Sequence, residues 1–264
     1  MDSSPPHIVT VIIPTINEEK GIERTINSLP GAAIKDIGYG LEVIVVDSES
    51  TDLTREVASG LGAKVIVERR VGYGRALKTG MRFARGDIMI TLDGDATYPA
   101  ELIPEIVQYL NDQELDFITM NRFPKTEKGA MCLSHIIGNN ILTFVMRVLY
   151  SVNVQDSQSG MWVMRKSFLD RISVRSDSMS FSEEIKIIAF KFFNSAEVKG
   201  RYYKRIGEPK LQTLKHGWRN LKFLFSYRTQ LKSAICVPDL PGSLLVDREA
   251  LELQIEQKKL HGKL

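Results

Sequence analysis

Short apolar runs at residues 8–13, 41–46, 64–67 and 87–92 are rich in valine and isoleucine and are separated by longer stretches with helical spacing. Continuous apolar runs of this length are what strands covered on both faces require, so the pattern predicts buried parallel strands joined by crossover helices. The first helix is expected to open near Glu18. A second covers residues 52–60 behind the turn and capping residues Asp47 to Thr51, and a third covers 73–85. Pro99 suits the first position of a fourth helix, and residues 116–120 read as a further strand. Residues 1–120 therefore read as an α/β fold: a mostly parallel twisted sheet flanked by helices.

Beyond about residue 125 this rhythm is lost. A long apolar helix is expected over 131–150, then a polar loop at 156–160, a short strand at 161–164 and a helix over 184–192. Residues 1–232 are expected to form one domain, with a nucleotide-binding half at 1–120 and a second half at 121–232. Residues 233–264, charged and poor in large apolar residues, are expected to be a solvated tail.

Composition narrows the partners. A formal net charge of +3 is too mild for a nucleic-acid binder, although basic residues gather between Lys199 and Lys232. Cys132 and Cys236 are too few for a disulfide framework or a paired-cysteine metal site, which predicts a reducing, cytoplasmic setting. The opening Met1 to Pro6 lacks the basic-then-apolar character of a secretory signal. The most apolar stretch, 129–150, is interrupted by His135, Asn139, Asn140 and Arg147, so no membrane-spanning helix is expected.

In open parallel sheets, ligands sit beyond the carboxyl ends of the strands. There the chain carries Pro14-Thr15-Ile16-Asn17-Glu18, Asp47-Ser48-Glu49-Ser50-Thr51-Asp52 and Asp93-Gly94-Asp95-Ala96-Thr97-Tyr98-Pro99. Two carboxylates one residue apart repel unless a cation lies near, and Mg²⁺ or Mn²⁺ completes its shell with water and phosphate oxygens. An Asp-Gly-Asp sequence is also a common plain turn, so the pair alone leaves both readings open.

These segments, with Gly72-Tyr73-Gly74 between them, occur in an order and spacing that resembles glycosyltransferase family 2, of GT-A fold. Downstream, Asp156-Ser157-Gln158-Ser159-Gly160-Met161-Trp162, Phe181 with Glu184, and Arg205-Ile206-Gly207-Glu208-Pro209-Lys210-Leu211 are similar to the branch that makes dolichyl- and polyprenyl-phosphate sugars. The resemblance covers residues 8 to 228. It implies that Pro14, Thr15, Asn17, Glu18 and Asp47 contact the nucleotide, that Asp93 supports ribose or metal, and that Asp95 ligates the Mg²⁺ or Mn²⁺ on the diphosphate. It further implies that Asp156, Gln158 and Ser159 line the sugar near its anomeric carbon and that Glu184 binds sugar hydroxyls. Ile16 stands where mannose synthases often carry tyrosine, and Ala96-Thr97-Tyr98 differs from their pattern. Both departures favour a UDP-sugar over GDP-mannose.

Inverting transferases usually need a base to deprotonate a hydroxyl, but a lipid phosphate is already anionic and needs only cations to place it. Arg122, Arg205 and Lys210 are the candidates. The residues Leu214, Trp218, Leu221, Leu224 and Phe225 recur at helical spacing among Lys215, Arg219, Lys222 and Arg228, a pattern that fits either a peripheral, membrane-facing helix or burial on the sheet. A rival acceptor is a saccharide hydroxyl, with Glu183 or Glu184 as base. Nucleotidyl transfer would want a basic glycine-rich loop after the first strand, where this chain is acidic. A non-catalytic scaffold would not need the acidic pair.

Overall fold

A computed structural model describes residues 7–207 and 213–231, the side chains of 213–215 excepted. The expected tail at 233–264, Lys210 and the side chains of Leu214 and Lys215 therefore lie outside the described residues. The order is β1 (Ile8–Thr15), α1 (Glu19–Asn27), α2 (Gly31–Asp36), β2 (Gly40–Asp47), α3 (Thr54–Gly60), β3 (Lys64–Val67), α4 (Tyr73–Phe83) and β4 (Ile88–Thr91). Then come α5 (Ile103–Asp112), β5 (Phe117–Thr126), α6 (Leu133–Tyr150), β6 (Trp162–Arg165), α7 (Lys166–Leu169), α8 (Phe181–Phe192), β7 (Ser195–Tyr202) and α9 (Thr213–Tyr227).

The strands form one seven-stranded sheet in the order β3-β2-β1-β4-β6-β5-β7. β1 pairs in parallel with β2 and β4, whereas β6 runs antiparallel to both β4 and β5. Alternate residues of each strand feed opposite faces. Ile12, Ile44, Met89, Phe117 and Trp162 join the core under α4, α6, α8 and α9. Val11, Ile13, Val45, Ile88 and Ile90 join the other core, under α1, α2, α3 and α5. Burial on both faces explains why these strands read as unbroken apolar runs.

Three expectations need adjustment. Pro99 precedes a single 3₁₀ turn, Ala100–Leu102, and the α-helix starts at Ile103 with Pro104 in its first turn. A proline at that site lacks only an N–H that would have no helical partner. The strand β7 went unforeseen because Ser195–Tyr202 is mostly half-buried and mixes Glu197, Lys199 and Arg201 with small residues, as a sheet-edge strand does. β5 extends to Thr126, six residues past the expected end at 120, as it follows β7 through a register shift between Asn121 and Lys125.

The reversed β6 matters most for the site. Trp162 pairs with Thr91 at the end of β4 and with Thr119 in β5, so the loop ahead of β6 emerges at the same sheet edge as the ends of the parallel strands.

Candidate functional site

The loops after β1 and β2 are stitched together by their own polar groups. Thr15 lies opposite Asp47 in the β1–β2 register, and its hydroxyl donates to Asp47 Oδ2 at 3.3 Å. The fully buried Asp47 also accepts the Ser50 N–H at 2.9 Å and the Ser50 hydroxyl. Asn17 adopts φ +52°, which brings its N–H to Ser50 Oγ at 2.8 Å and its Oδ1 to the Thr51 N–H at 2.7 Å. An asparagine tolerates this left-handed geometry better than most residues. The Glu18 N–H is taken by Thr54 Oγ1 at 2.8 Å. Pro14 is half-buried just before this junction, and Ile16 stands 43% exposed at its rim.

The Asp93-Gly94-Asp95 turn sits against α1 at backbone distance. A Cβ on Gly21 would lie 2.6 Å from the Gly94 carbonyl oxygen, so only glycine lets the helix approach so closely. Asp95 is buried. Its Oδ1 accepts the Thr97 N–H and hydroxyl at 3.2 and 2.7 Å, and its Oδ2 lies 3.2 Å from Arg205 Nη1. Arg205 Nη2 donates to Glu18 Oε1 at 2.6 Å, so this one guanidinium bridges both acidic loops. The segment after β7 is pinned to the turn by Ile206 N–H on Asp95 O and Tyr203 N–H on Thr97 O. Asp93 is half-buried and has the Tyr73 hydroxyl 3.5 Å away. Burial, and after it the Asp95 carboxylate, push the Asp93 carboxyl up to about 7.

This donor set suits a cation that binds together with phosphate. Asp93 is half-buried, and its raised pKa is what a neighbouring cation would reverse. Among the described residues there is no cluster of three or more His, Cys, Asp or Glu side chains able to hold an ion unaided. A Mg²⁺- or Mn²⁺-type site with one or two carboxylates and substrate oxygens fits; a closed protein cage does not.

Across the sheet edge, Asp156 and Arg122 form a buried bidentate pair, with Nε–Oδ2 2.7 Å and Nη2–Oδ1 2.9 Å. Burial opposes the Asp156 charge, but Arg122 outweighs it and holds the carboxyl below its usual range. Glu197 accepts the Gln155 and Asp156 N–H groups at 3.0 and 2.9 Å from behind. The Gln158 amide donates to Glu183 Oε1 at 2.8 Å and accepts from Asn220 of α9 at 3.0 Å. Ser159 is fully buried, and Gly160 is wedged in: a Cβ there would meet the Tyr73 hydroxyl at 2.8 Å and both Asp93 oxygens at 3.1 Å. A cavity of about 340 Å³ opens here, with Arg122, Arg205 and Gln158 in its polar lining and Met131, Leu142 and Met179 in its apolar lining.

The candidates among the described residues thus gather at one edge, with one exception. Glu184 is buried away from the cavity lining and accepts the N–H groups of Arg175 and Ser176 at 3.0 and 2.8 Å, so its carboxylate is committed to the preceding turn. Sequence reasoning passed over Lys186, fully buried beneath the 156–159 loop. A lysine flanked by Ile185 and Ile187 on an apolar helix was the available signal, because a buried ammonium is costly without a purpose.

On the outer face, Leu133, Ile137, Ile141, Phe144 and Val148 of α6 stand 52–71% exposed at intervals of four, four, three and four residues. Trp218 and Phe225 of α9 are exposed, and the Lys222 ammonium lies 5.5 Å from the Trp218 ring. Of the two readings left open for this helix, Leu224 takes burial on the sheet side: it is fully buried, and its carbonyl accepts the Tyr150 hydroxyl. No described helix is long and apolar enough to cross a membrane.

Comparison with known proteins completes the picture. Residues 10–173 match the model of glycosyl transferase family 2. A low-salt glycan biosynthesis hexosyltransferase of Haloferax volcanii is 33% identical over 84% of this chain, which spans only 54% of that relative's length. A dolichyl-phosphate hexose transferase of the same organism is 30% identical over 79% of this chain and 89% of its own. A dolichol-phosphate mannosyltransferase of Pyrococcus furiosus is 28% identical over 76% of this chain and 55% of its own. In fold, the chain is similar to glucosyl-3-phosphoglycerate synthase of Mycobacterium tuberculosis, solved with Mn²⁺, UDP-glucose and phosphoglyceric acid, with a TM-score of 0.68, 21% identity and coverage of 91% and 84%.

Proposed function

The chain belongs to glycosyl transferase family 2, and from that premise we propose that it moves a hexose from a nucleotide sugar, UDP-linked by preference, onto a polyprenyl phosphate such as dolichyl phosphate. The observation that carries this reading is the company kept by the cavity. Arg122 and Arg205 line it, while neither Glu183 nor Glu184 does. A saccharide acceptor needs a carboxylate within reach of its hydroxyl; an anionic acceptor needs cations instead. The names borne by two relatives, dolichyl-phosphate hexose transferase and dolichol-phosphate mannosyltransferase, support the same choice.

In this reading residues 1–120 hold the donor and 121–232 the acceptor. Pro14, Thr15, Asn17, Glu18 and Asp47 frame the nucleoside, and Asp93 and Asp95 hold Mg²⁺ or Mn²⁺. When bound, that ion neutralises charge developing on the departing diphosphate. Arg205 spans Glu18 and Asp95, so it stands between the donor carboxylates and the acceptor cavity. Arg122 orients the lipid phosphate, and its own position is set by Asp156. A phosphate oxygen attacks the anomeric carbon as the bond to the nucleoside diphosphate breaks, with inversion and no proton to remove. Gln158 has both ends of its amide occupied, so its part is to brace the loop. The α6–α9 apolar stripe rests on the lipid surface, on the cytoplasmic side, with Arg219, Lys222 and Arg228 meeting anionic headgroups.

The test is a donor panel. Purified protein with dolichyl phosphate and Mn²⁺ is offered labelled UDP-glucose, UDP-N-acetylglucosamine and GDP-mannose. Label in the lipid fraction from a UDP-sugar is the expected result, and none from any donor refutes the reading.

A further inference from the structure

Lys186 sits on α8 with no solvent exposure, and its Nζ lies 3.3, 2.9 and 2.7 Å from the carbonyl oxygens of Asp156, Ser157 and Ser159 and 3.1 Å from Ser182 Oγ. Among the described residues these are the hydrogen-bond acceptors of Lys186 Nζ, and none is a carboxylate. The charges nearby are Asp156 and Arg122 on the site side, Glu197 from β7 and Glu183 one turn back on α8. Asp156 is already engaged by Arg122 in a bidentate pair. Burial raises the Glu183 carboxyl to about 8, which leaves it protonated at neutral pH. Burial lowers Lys186 to about 7, and the Asp156 and Glu197 carboxylates oppose that shift, so its part in the cavity wall rests on the carbonyls it gathers rather than on a net charge.

The geometry supplies a reason for the arrangement. Three carbonyls of the loop are drawn to a single point, and the Asp156 carboxylate meets Arg122, which lines the cavity. We propose that Lys186 is a positioning residue for the acceptor phosphate, gathering the 156–159 carbonyls so that Asp156 presents Arg122 to the cavity. This rests on the reading that the cavity takes a lipid phosphate. Trp162 supplies a built-in reporter: its indole N–H donates to Ser159 O at 2.8 Å, and Lys186 Nζ lies 5.5 Å from its ring.

The experiment measures donor and acceptor kinetics separately for Lys186→Met and Arg122→Ala, with farnesyl phosphate as the acceptor. Lys186→Met is expected to raise acceptor KM about tenfold or more while donor KM moves less than about threefold. If a folded Lys186→Met changes both equally, or neither, while Arg122→Ala raises acceptor KM, the positioning role is overturned and the acceptor reading survives. If Arg122→Ala also leaves acceptor KM unchanged, the lipid-phosphate reading falls and takes the proposal with it. A second measurement does not depend on the variant folding. In the Trp218→Phe background, where Trp162 is the remaining indole, farnesyl phosphate should shift Trp162 emission saturably and farnesol should not. An emission unmoved by farnesyl phosphate overturns the proposal.

Discussion

Replacing Glu183 with glutamine keeps the shape and the hydrogen bond from Gln158 but removes the proton that the native state holds. Glu183 is fully buried, accepts one bond from Gln158 and leaves its Oε2 without a partner among the described residues. Burial is the dominant cause of its shift, from 4.5 to about 8. Because the native carboxyl binds its proton more tightly than the unfolded one, its contribution to stability is complete below pH 4.5 and is lost as pH rises to about 8. Between pH 5 and pH 9 the loss is on the order of 4 kcal/mol, taking about 1.4 kcal/mol for each unit traversed. Urea unfolding at pH 5, 7 and 9 measures it. Asp93 acts on both proteins, so the difference between wild type and Glu183→Gln reads this carboxyl together with its coupling to Lys186. Glutamine should gain on wild type steadily from pH 5 to 8 and hold its lead at pH 9. Parallel pH profiles would show that the carboxyl titrates alike in the folded and unfolded chains, and the buried neutral acid would have to be abandoned.

Three further outcomes are expected. Asp95→Asn should cut turnover about a hundredfold or more, with melting shifted by only a few degrees, since the Thr97 bonds can persist; near-normal activity would remove the metal role. Gly160→Ala should displace Asp93 and lower kcat about tenfold or more, and adding Tyr73→Phe should recover part of it by removing the nearer clash; an active Gly160→Ala contradicts the crowding. Phe144→Asp with Val148→Asp should weaken sedimentation with anionic vesicles about tenfold or more at unchanged thermal stability, because both side chains are already exposed; undiminished vesicle binding excludes this stripe as the lipid face.

The parallel half of the fold was legible because its strands are buried on both faces, and burial of that kind writes itself as apolar runs followed by acids at Glu18, Asp47 and Asp93. The orientation of β6 was not legible. Trp162 to Arg165 reads the same in either direction, and only the geometry of the neighbouring strands decides it. Nor could spacing reveal that Arg205 lies on Glu18 and Asp95, since the contact with Glu18 spans 187 residues. Local pattern also misled at Glu184. Its acidic neighbour Glu183 faces the Gln158 amide, while Glu184 ties down the turn before its own helix, a difference of one residue that a helical periodicity cannot resolve.

The reversed strand has a consequence for how the molecule tolerates change. Parallel strands deliver to the working edge the residues that follow them, whereas β6 delivers those that precede it, so both kinds of connection meet at one rim. The opposite rim carries connections with no such duty. At Gly38 and Gly62, in turns leading into β2 and β3, a Cβ would touch nothing within 4 Å, while φ of +88° and +82° calls for keeping the two glycines themselves. An epitope or a fluorophore is best grafted at these two turns, where lengthening the chain strains neither the acids nor the arginines on the far side.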